Sequence, residues 1–296
     1  MTSKKKPSNN APKTGRPWSI SVLSGGVVNI RHGTRTWVYI SSDWHWDSVH
    51  CDRDRLAADL TLAKKLNAPV LCLGDLFDVM GGKYDPRSNG KYDIRPELQT
   101  GNYFDLCVSE CIKWLKPWAS QIALITPGNH ETAVRKRMET CLTTRLVERL
   151  KMSGSPCVQS GYAGWLLFTL AMSGGARTTN TMYWHHGFGG GGPITKGAID
   201  YSRYLLDVDA DIIAAGHVHQ RMCIEASRQR LTNRGIPRVS PIFLIRSASY
   251  KQESLTDGWA VEKGMSSRPI GGYWLLIKQN SNKDNSIISV HDTPEQ

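Results

Sequence analysis

The sequence lacks any apolar stretch that approaches a membrane span, which needs about 20 consecutive apolar residues. Its first residues are rich in lysine and proline, and they contain no apolar segment of the kind that a secretory signal requires. We therefore expect neither membrane insertion nor secretion. With 296 residues, of which 40% are hydrophobic, the chain is long enough to bury a sizeable core.

Cysteine is sparse and follows no pattern. The chain has 7 cysteines, an odd number, and no two of them form a CxxC pair. A disulfide framework would need paired cysteines at regular spacings, so this class of small secreted protein is disfavoured. We predict a reducing, cytoplasmic location.

Acidic residues are missing from the N-terminal segment. Residues 1–16 contain five Lys or Arg and no acid, so they contribute +5 of the formal net charge of +11. We predict that residues 1–17 form a disordered basic tail, because they have almost nothing to bury. A basic total favours a polyanionic partner, nucleic acid first. For the tail alone, the simpler explanation is a solvated segment that keeps the protein soluble.

Strand and helix patterns alternate in the first half of the chain, and strands dominate the second half. Apolar runs predict strands, and apolar residues at helical spacing predict helices. The predicted strands are 37–40, 69–73, 122–125, 164–171, 181–185, 212–215, 272–278 and 286–290, and the predicted helices are 52–66, 104–118, 134–150 and 199–206. A polar insertion, 81–101, is long for a connecting loop. This order predicts an α/β fold with two mostly mixed β-sheets flanked by helices, in one domain over residues 18–296.

Five polar motifs each follow a predicted strand. They are Asp43-Trp-His45, Gly74-Asp-Leu-Phe-Asp78, Gly128-Asn-His-Glu131, His185-His-Gly187 and Gly216-His-Val-His219. Ligands of α/β sheets bind at the carboxyl ends of the strands, so we expect the five motifs to converge on one site.

The side chains in these motifs suit two divalent cations. Two such ions about 3.5–4 Å apart can clamp the attacking and leaving oxygens of a phosphoester. Seven side chains are candidate ligands: Asp43, His45, Asp75, Asn129, His186, His217 and His219. An Asn ligand is a neutral oxygen donor and is unusual in structural zinc sites. Mixed oxygen and imidazole donors suit Mn, Fe, Zn or Ni, and we predict Mn.

The ordered motifs closely resemble those of the calcineurin-like metallophosphoesterase superfamily. The resemblance implies a four-layer sandwich with a dinuclear centre, in which Asp43, His45, Asp75 and His219 hold one metal. Asp75 would bridge to a second metal held by Asn129, His186 and His217. It also implies that a bridging hydroxide attacks phosphorus, that His130 acts on the leaving-group oxygen, and that Asp78 orients His130.

One ligand position has two candidates. Family ligands usually precede a glycine, which favours His186 over His185, and His185 would then pack at the strand end or contact substrate. Trp44 and Trp46 flank His45, where burial is the default and base stacking is the alternative.

The substrate class depends on the surroundings of the motifs. Protein Ser/Thr phosphatases of this superfamily carry an Arg before the GNHE motif and Asp-Arg-Gly after the second motif. Here Pro127 precedes Gly128, and Val79 follows Asp78, so that branch is disfavoured. Ser42-Asp-Trp-His45 is similar to the opening motif of the DNA-repair nuclease branch.

Three functions follow from this reading. The first is a metal-dependent phosphodiesterase or nuclease that acts on DNA. The alternative is a phosphatase or pyrophosphatase that acts on nucleotides or small phosphorylated metabolites. The third, a non-catalytic binding module whose metals only stabilise the fold, is disfavoured because His130 and Asp78 complete the catalytic set.

Overall fold

The fold is described from a computed structural model. It describes residues 16–79, 92–99, 101–171, 177–190, 195, 197–231, 235–252, 261, 264, 266–280 and 286–294. The predicted tail therefore lies outside the described residues except for Arg16 and Pro17, and most of the predicted insertion lies outside them as well. The extent of the tail, the insertion and the single domain stay predictions.

Two β-sheets form the centre of the described structure. Sheet A contains β1 (Trp18–Val22), β2 (Val28–His32), β7 (Ala163–Ala171), β8 (Arg177–His185), β9 (Ile212–Ala215), β10 (Met222–Leu231) and β11 (Pro237–Arg246). Sheet B contains β3 (Arg35–Ser41), β4 (Val70–Leu73), β5 (Ile122–Thr126), β6 (Val158–Gln159), β12 (Tyr273–Gln279) and β13 (Ser286–His291). The strand orders are β1-β2-β7-β8-β9-β11-β10 and β13-β12-β3-β4-β5-β6. Both sheets mix parallel and antiparallel pairs, so the predicted fold class is confirmed.

The period-2 alternation of side chains along a strand explains how sheet B separates two cores. Val38 and Ile40 of β3 point into a core that is shared with sheet A. Trp37 and Tyr39, on the opposite face, pack into a core that is shared with the helices. The central strands β4 and β5 are therefore buried on both faces, which is why they are almost continuous apolar runs.

Helices cover the outer face of each sheet. They are α1 (Arg53–Lys65), α2 (Tyr103–Leu115), α3 (Asn129–Met138), α4 (Leu142–Met152) and α5 (Ala198–Asp207). Residues of α1 to α4 pack against sheet B, and those of α5 pack against sheet A. Asp52 caps the start of α1, because its Oδ1 accepts a hydrogen bond from Arg55 N at 2.9 Å. No helix among the described residues is long and apolar enough to cross a membrane.

The predicted single helix over residues 134–150 is wrong. The chain forms two helices, α3 and α4, separated by Glu139 in the left-handed conformation with a φ of 54°. Met138 and Leu142 are spaced by four residues, so the helical pattern runs on across the turn. No Gly or Pro marks the break, and the pattern therefore hides it.

The strand order brings the motif-bearing ends together. β3, β4 and β5 are parallel neighbours in sheet B, and β8, β9 and β11 run parallel in sheet A. Their carboxyl ends lie along one edge of the packed sheets, where the five motifs follow them.

Candidate metal centre

Strained backbone marks the strand ends. Asp43, His45, Asp75, His217 and His219 all have a positive φ, between 46° and 70°. For residues with a Cβ this left-handed conformation costs roughly 1–2 kcal/mol each. Strain of this kind persists only where the surrounding structure imposes it, and it is concentrated at functional sites.

The first group of side chains contains Asp43, His45 and His219. Their ligand atoms all lie within 4.8 Å of one another. His219 Nε2 lies 3.3 Å from Asp43 Oδ1 and 3.2 Å from His45 Nε2. Asp43 is held from behind, because its Oδ2 accepts hydrogen bonds from Ser42 Oγ and from His217 N.

The second group contains Asp75, Asn129, His186 and His217. His186 Nε2 lies 3.1 Å from Asp75 Oδ2 and 3.1 Å from Asn129 Oδ1. His217 Nδ1 lies 2.7 Å from the same Asn129 oxygen. The opposite nitrogens face main-chain carbonyls: His186 Nδ1 lies 2.8 Å from Leu73 O, and His217 Nε2 lies 3.0 Å from Gly189 O.

The two adjacent histidines face different surroundings. His186 is fully buried beside Asp75. His185 accepts a hydrogen bond from Gly187 N through Nδ1, at 2.9 Å, and its ring lies among aromatic side chains. The structure thus brings His186, and not His185, to the other candidate ligands.

His130 and Asp78 lie beside both groups. His130 Nδ1 lies 2.5 Å from the main-chain oxygen of Asp78 and 3.7 Å from its carboxylate, while Nε2 lies 3.7 Å from Asp75 Oδ2. The Asp78 carboxylate is closer to His45, at 2.8 Å from Nδ1. Asp78 therefore contacts His130 mainly through its backbone and contacts His45 through its side chain.

Lys251 is a site residue that the motifs did not reveal. It follows β11, its side chain is 3% exposed, and its Nζ lies 3.1 Å from Asp78 Oδ1. Ser247 and Ser249, on the same strand end, contact Ser42 Oγ and the main-chain oxygen of Asp43. A polar run after the apolar end of β11 is the same signal that marked the other five strand ends.

Two buried carboxylates hold the loop after β4. Glu131 accepts hydrogen bonds from the backbone N–H groups of Asp75, Phe77 and Gly128. Asp47 accepts from those of Asp78 and Val79, at 2.6 and 2.9 Å. Glu131 therefore joins the loop after β4 to the start of α3.

Glycine is required where two of these loops touch. A Cβ at Gly128 would overlap the carboxylate and backbone nitrogen of Asp75. The GNHE and GDxxD motifs can approach this closely only because that side chain is absent.

Comparison with known proteins identifies the family. The model of the calcineurin-like phosphoesterase family matches residues 36–221, which is more than half of the chain. The chain belongs to the calcineurin-like phosphoesterase family. Members of this family hydrolyse phosphoester bonds at a dinuclear metal centre, so the chain is a hydrolase of this type. Comparison with curated proteins gave no match.

Solved structures of calcineurin-like phosphoesterases are among those similar to the chain. YfkN from Bacillus subtilis is 11% identical, with 87% of this chain and 90% of that chain covered and a TM-score of 0.34. A metallophosphoesterase from Sphaerobacter thermophilus is 16% identical, with 86% and 87% covered and a TM-score of 0.35. Vps29 from Entamoeba histolytica, complexed with zinc, is 11% identical, with 86% and 98% covered and a TM-score of 0.31. Because these TM-scores are low, the structural similarity does not support the family assignment, which rests on the match to the family model.

The donor set fits the two cations of the family. Asp43 Oδ1 is buried, and among the described residues no hydrogen bond of good geometry reaches it. His186 and His217 each face a carbonyl with one nitrogen and Asn129 with the other. A carbonyl partner that fixes the tautomer and leaves the second nitrogen as a lone pair is the usual arrangement around a metal-binding histidine.

The charges of the site also favour a cation. Burial raises the pKa of Asp43, but the contact with His219 and the charge of His186 outweigh it and lower that pKa to about 2. Burial lowers the pKa of His186, but Asp75 and Asp43 outweigh it and raise that pKa to about 10, so in the metal-free chain a proton takes the place that the cation would occupy on this ring. Burial, together with the charge of Asp75, raises the pKa of Glu131 to about 7. The buried carboxylates of Asp43, Asp75 and Glu131 therefore favour binding of a positive charge at this site.

Three residues in or near the first motif pack or pair outside the candidate ligand set. Trp44 and Trp46 are 0% and 1% exposed, so neither presents a ring face to a ligand. His50 Nε2 pairs with Asp93 at 3.3 Å.

Proposed function

We propose that this chain hydrolyses phosphodiester bonds in DNA with two divalent cations. Asp43, His45, Asp75 and His219 would hold one ion, and Asp75, Asn129, His186 and His217 would hold the other. The observation that carries the proposal is the pair of neighbouring donor groups, each containing a carboxylate and at least two histidines. His217 joins them, since its backbone N–H donates to Asp43 while its ring lies beside Asn129.

The bound cations would supply an activated water and neutralise charge on the phosphate. The protein would contribute the leaving-group step. His130 Nδ1 faces the main-chain oxygen of Asp78 and so carries a proton. When the ring is the imidazolium, Nε2, on the side of Asp75, would donate its own proton to the departing oxygen and leave the neutral imidazole. Asp78 would fix the orientation of His45 and, through its backbone, that of His130.

The positive charge supports a polyanionic substrate. The chain carries +11, and Arg135, Lys136 and Arg137 are exposed on α3, the helix that begins at Asn129. The similarity of Ser42-Asp-Trp-His45 to the opening motif of DNA-repair nucleases points to DNA. Mn is the metal that we propose, on the mixed oxygen and imidazole donors. A cytoplasmic location is proposed from the seven free cysteines.

A hydrolysis assay with added Mn tests the proposal. The substrates are bis-p-nitrophenyl phosphate, p-nitrophenyl phosphate, and labelled single- and double-stranded DNA. Asp75→Ala removes the proposed shared ligand, and Asp54→Ala, at an exposed carboxylate on α1, is the matched control. We expect DNA and diester cleavage by the wild type and by Asp54→Ala, and none by Asp75→Ala.

Two outcomes would contradict the proposal. Turnover of the monoester with intact DNA would assign the chain to the phosphatase or pyrophosphatase alternative. Near-normal cleavage by Asp75→Ala would overturn the shared-ligand assignment.

A further inference from the structure

A group of aromatic rings lies next to the proposed metal centre. The aromatic shelf consists of Tyr162, His185, Phe188 and Tyr204. The ring centroid of His185 lies 5.2 Å from that of Tyr162, 5.6 Å from Phe188 and 5.9 Å from Tyr204, and the Phe188 ring is perpendicular to that of His185. Edge-to-face pairs of this kind hold rings in fixed orientations.

The shelf contacts the proposed metal ligand His186 through the ring of Tyr162. The Tyr162 centroid lies 5.2 Å from that of His186. Tyr162 OH donates to Gly187 O at 2.8 Å, which fixes the loop that carries Phe188. The next residue, Gly189, accepts through its main-chain oxygen from His217. The loop is therefore tied to the shelf on one side and to the centre on the other.

Packing of α5 does not account for the whole shelf. Tyr201 and Tyr204 serve that packing, since they are 1% and 8% exposed and contact Ile213 and Leu244 of sheet A. Phe188 is 38% exposed, although it lies at a strand end where a polar residue would be tolerated. An aromatic ring that is partly exposed beside a catalytic centre has a face available to a ligand.

The hydrogen bonds of His185 define its polar edge. Because Gly187 N donates to Nδ1, the ring nitrogen that carries the proton in the neutral imidazole is Nε2. The shelf thus combines an aromatic face with a hydrogen-bond donor. A planar heterocycle with carbonyl or ring-nitrogen acceptors matches both.

We propose that the aromatic shelf binds a nucleobase of the substrate, with Phe188 as the stacking face. This inference rests on the proposed function, because it places the base beside the phosphate that is cleaved. Stacking on an aromatic side chain accepts every base, so the shelf selects a nucleotide over other phosphoesters without reading sequence.

The test compares two single-stranded oligomers of equal length and backbone charge. One is oligothymidylate, and in the other every nucleotide is an abasic tetrahydrofuran analogue. The measured quantity is the ratio of kcat/KM for the first to kcat/KM for the second, with Mn. We expect Phe188→Ala and the apolar Phe188→Leu to lower this ratio about tenfold or more, which corresponds to about 1.4 kcal/mol and lies within the range for base stacking.

Two controls separate stacking from general damage. Phe188→Trp keeps an aromatic face and should restore the ratio. Leu206→Ala changes a residue of α5 that is 87% exposed and outside the shelf, and it should leave the ratio unchanged. An unchanged ratio in folded Phe188→Ala and Phe188→Leu would overturn the shelf and leave the proposed function standing.

Binding without metal separates the two proposals. If neither oligomer is cleaved, the proposed function fails, and fluorescence anisotropy with the same labelled oligomers in EDTA still tests the shelf. A preference for oligothymidylate that Phe188→Ala abolishes would support the shelf. Equal binding of both oligomers by the wild type would overturn it.

Discussion

Lys251→Met removes the ammonium group that lies 3.1 Å from Asp78 Oδ1. Both side chains are nearly buried, at 3% and 4% exposed. Burial acts to raise the pKa of Asp78, but Lys251, followed by His45 and His130, holds that pKa well below its usual range. Methionine keeps a long apolar side chain and deletes the charge, so the variant leaves Asp78 as a buried carboxylate with weaker compensation.

The loss of stability in Lys251→Met depends on the contacts that Asp78 keeps. Removing one partner of a buried ion pair costs roughly 3–5 kcal/mol. His45 Nδ1 stays 2.8 Å from the same carboxylate, so we expect the lower end, about 3 kcal/mol of unfolding free energy. At roughly 2–4 °C per kcal/mol for a chain of this size, Tm should fall by roughly 6–12 °C. Lys251→Arg keeps the charge and should lose less than half as much.

The pH dependence has a defined sign. The pKa of Asp78 is lowered on folding from its ordinary value of 3.8, so its stabilising contribution is present above that pH and is lost as the pH falls below it. The difference between wild type and Lys251→Met should therefore be full at pH 7.5 and should shrink below about pH 4.

Urea unfolding of the chelator-treated protein at pH 7.5 measures the effect. Lys64→Met is the matched control, because Lys64 is exposed and its ammonium group donates to the main-chain oxygen of Pro117. We expect the control to lie within about 0.5 kcal/mol of the wild type. If Lys251→Met is as stable as Lys64→Met, the ion pair does not stabilise Asp78 and the reasoning is refuted.

Three further predictions concern the centre itself. His130→Ala should lower kcat by roughly a hundredfold or more, the scale of general-acid loss, with metal content unchanged; loss of metal would contradict its non-ligand role. His186→Ala should lose bound Mn, measured by elemental analysis, whereas His185→Ala should keep it; the reverse result would reassign the ligand. DNA cleavage should fall steeply as salt rises from 50 to 200 mM, while hydrolysis of p-nitrophenyl phosphate changes little; equal salt dependence would argue against binding of the DNA backbone.

The arrangement of the fold could be predicted because strand and helix patterns alternate along the chain. The strand Ile212–Ala215 was predicted to the residue, and helix α1 within one residue of its ends. The break at Glu139 could not be predicted, because apolar spacing continues across it. The apolar spacing shows only which residues face the core. A turn that keeps the same residues facing the core does not change this spacing, so the pattern cannot show it.

The residues of the candidate centre that lie in the five motifs could be predicted from the sequence. All seven candidate ligands meet at one edge of the sheets, as expected for side chains that follow parallel strands. Lys251 was missed because the polar run after β11 matches none of the five motifs, although it follows a strand as they do. For Trp44 and Trp46 the sequence allows either burial or base stacking, and the packing of the fold decides for burial.

The left-handed backbone at Asp43, Asp75 and His217 has an evolutionary consequence. Glycine adopts this conformation without strain, and asparagine tolerates it better than most residues. Substitution of these positions by Gly or Asn would relieve backbone strain in the metal-free chain. A lineage released from selection for catalysis should accept such changes first, becoming more stable as it becomes inactive.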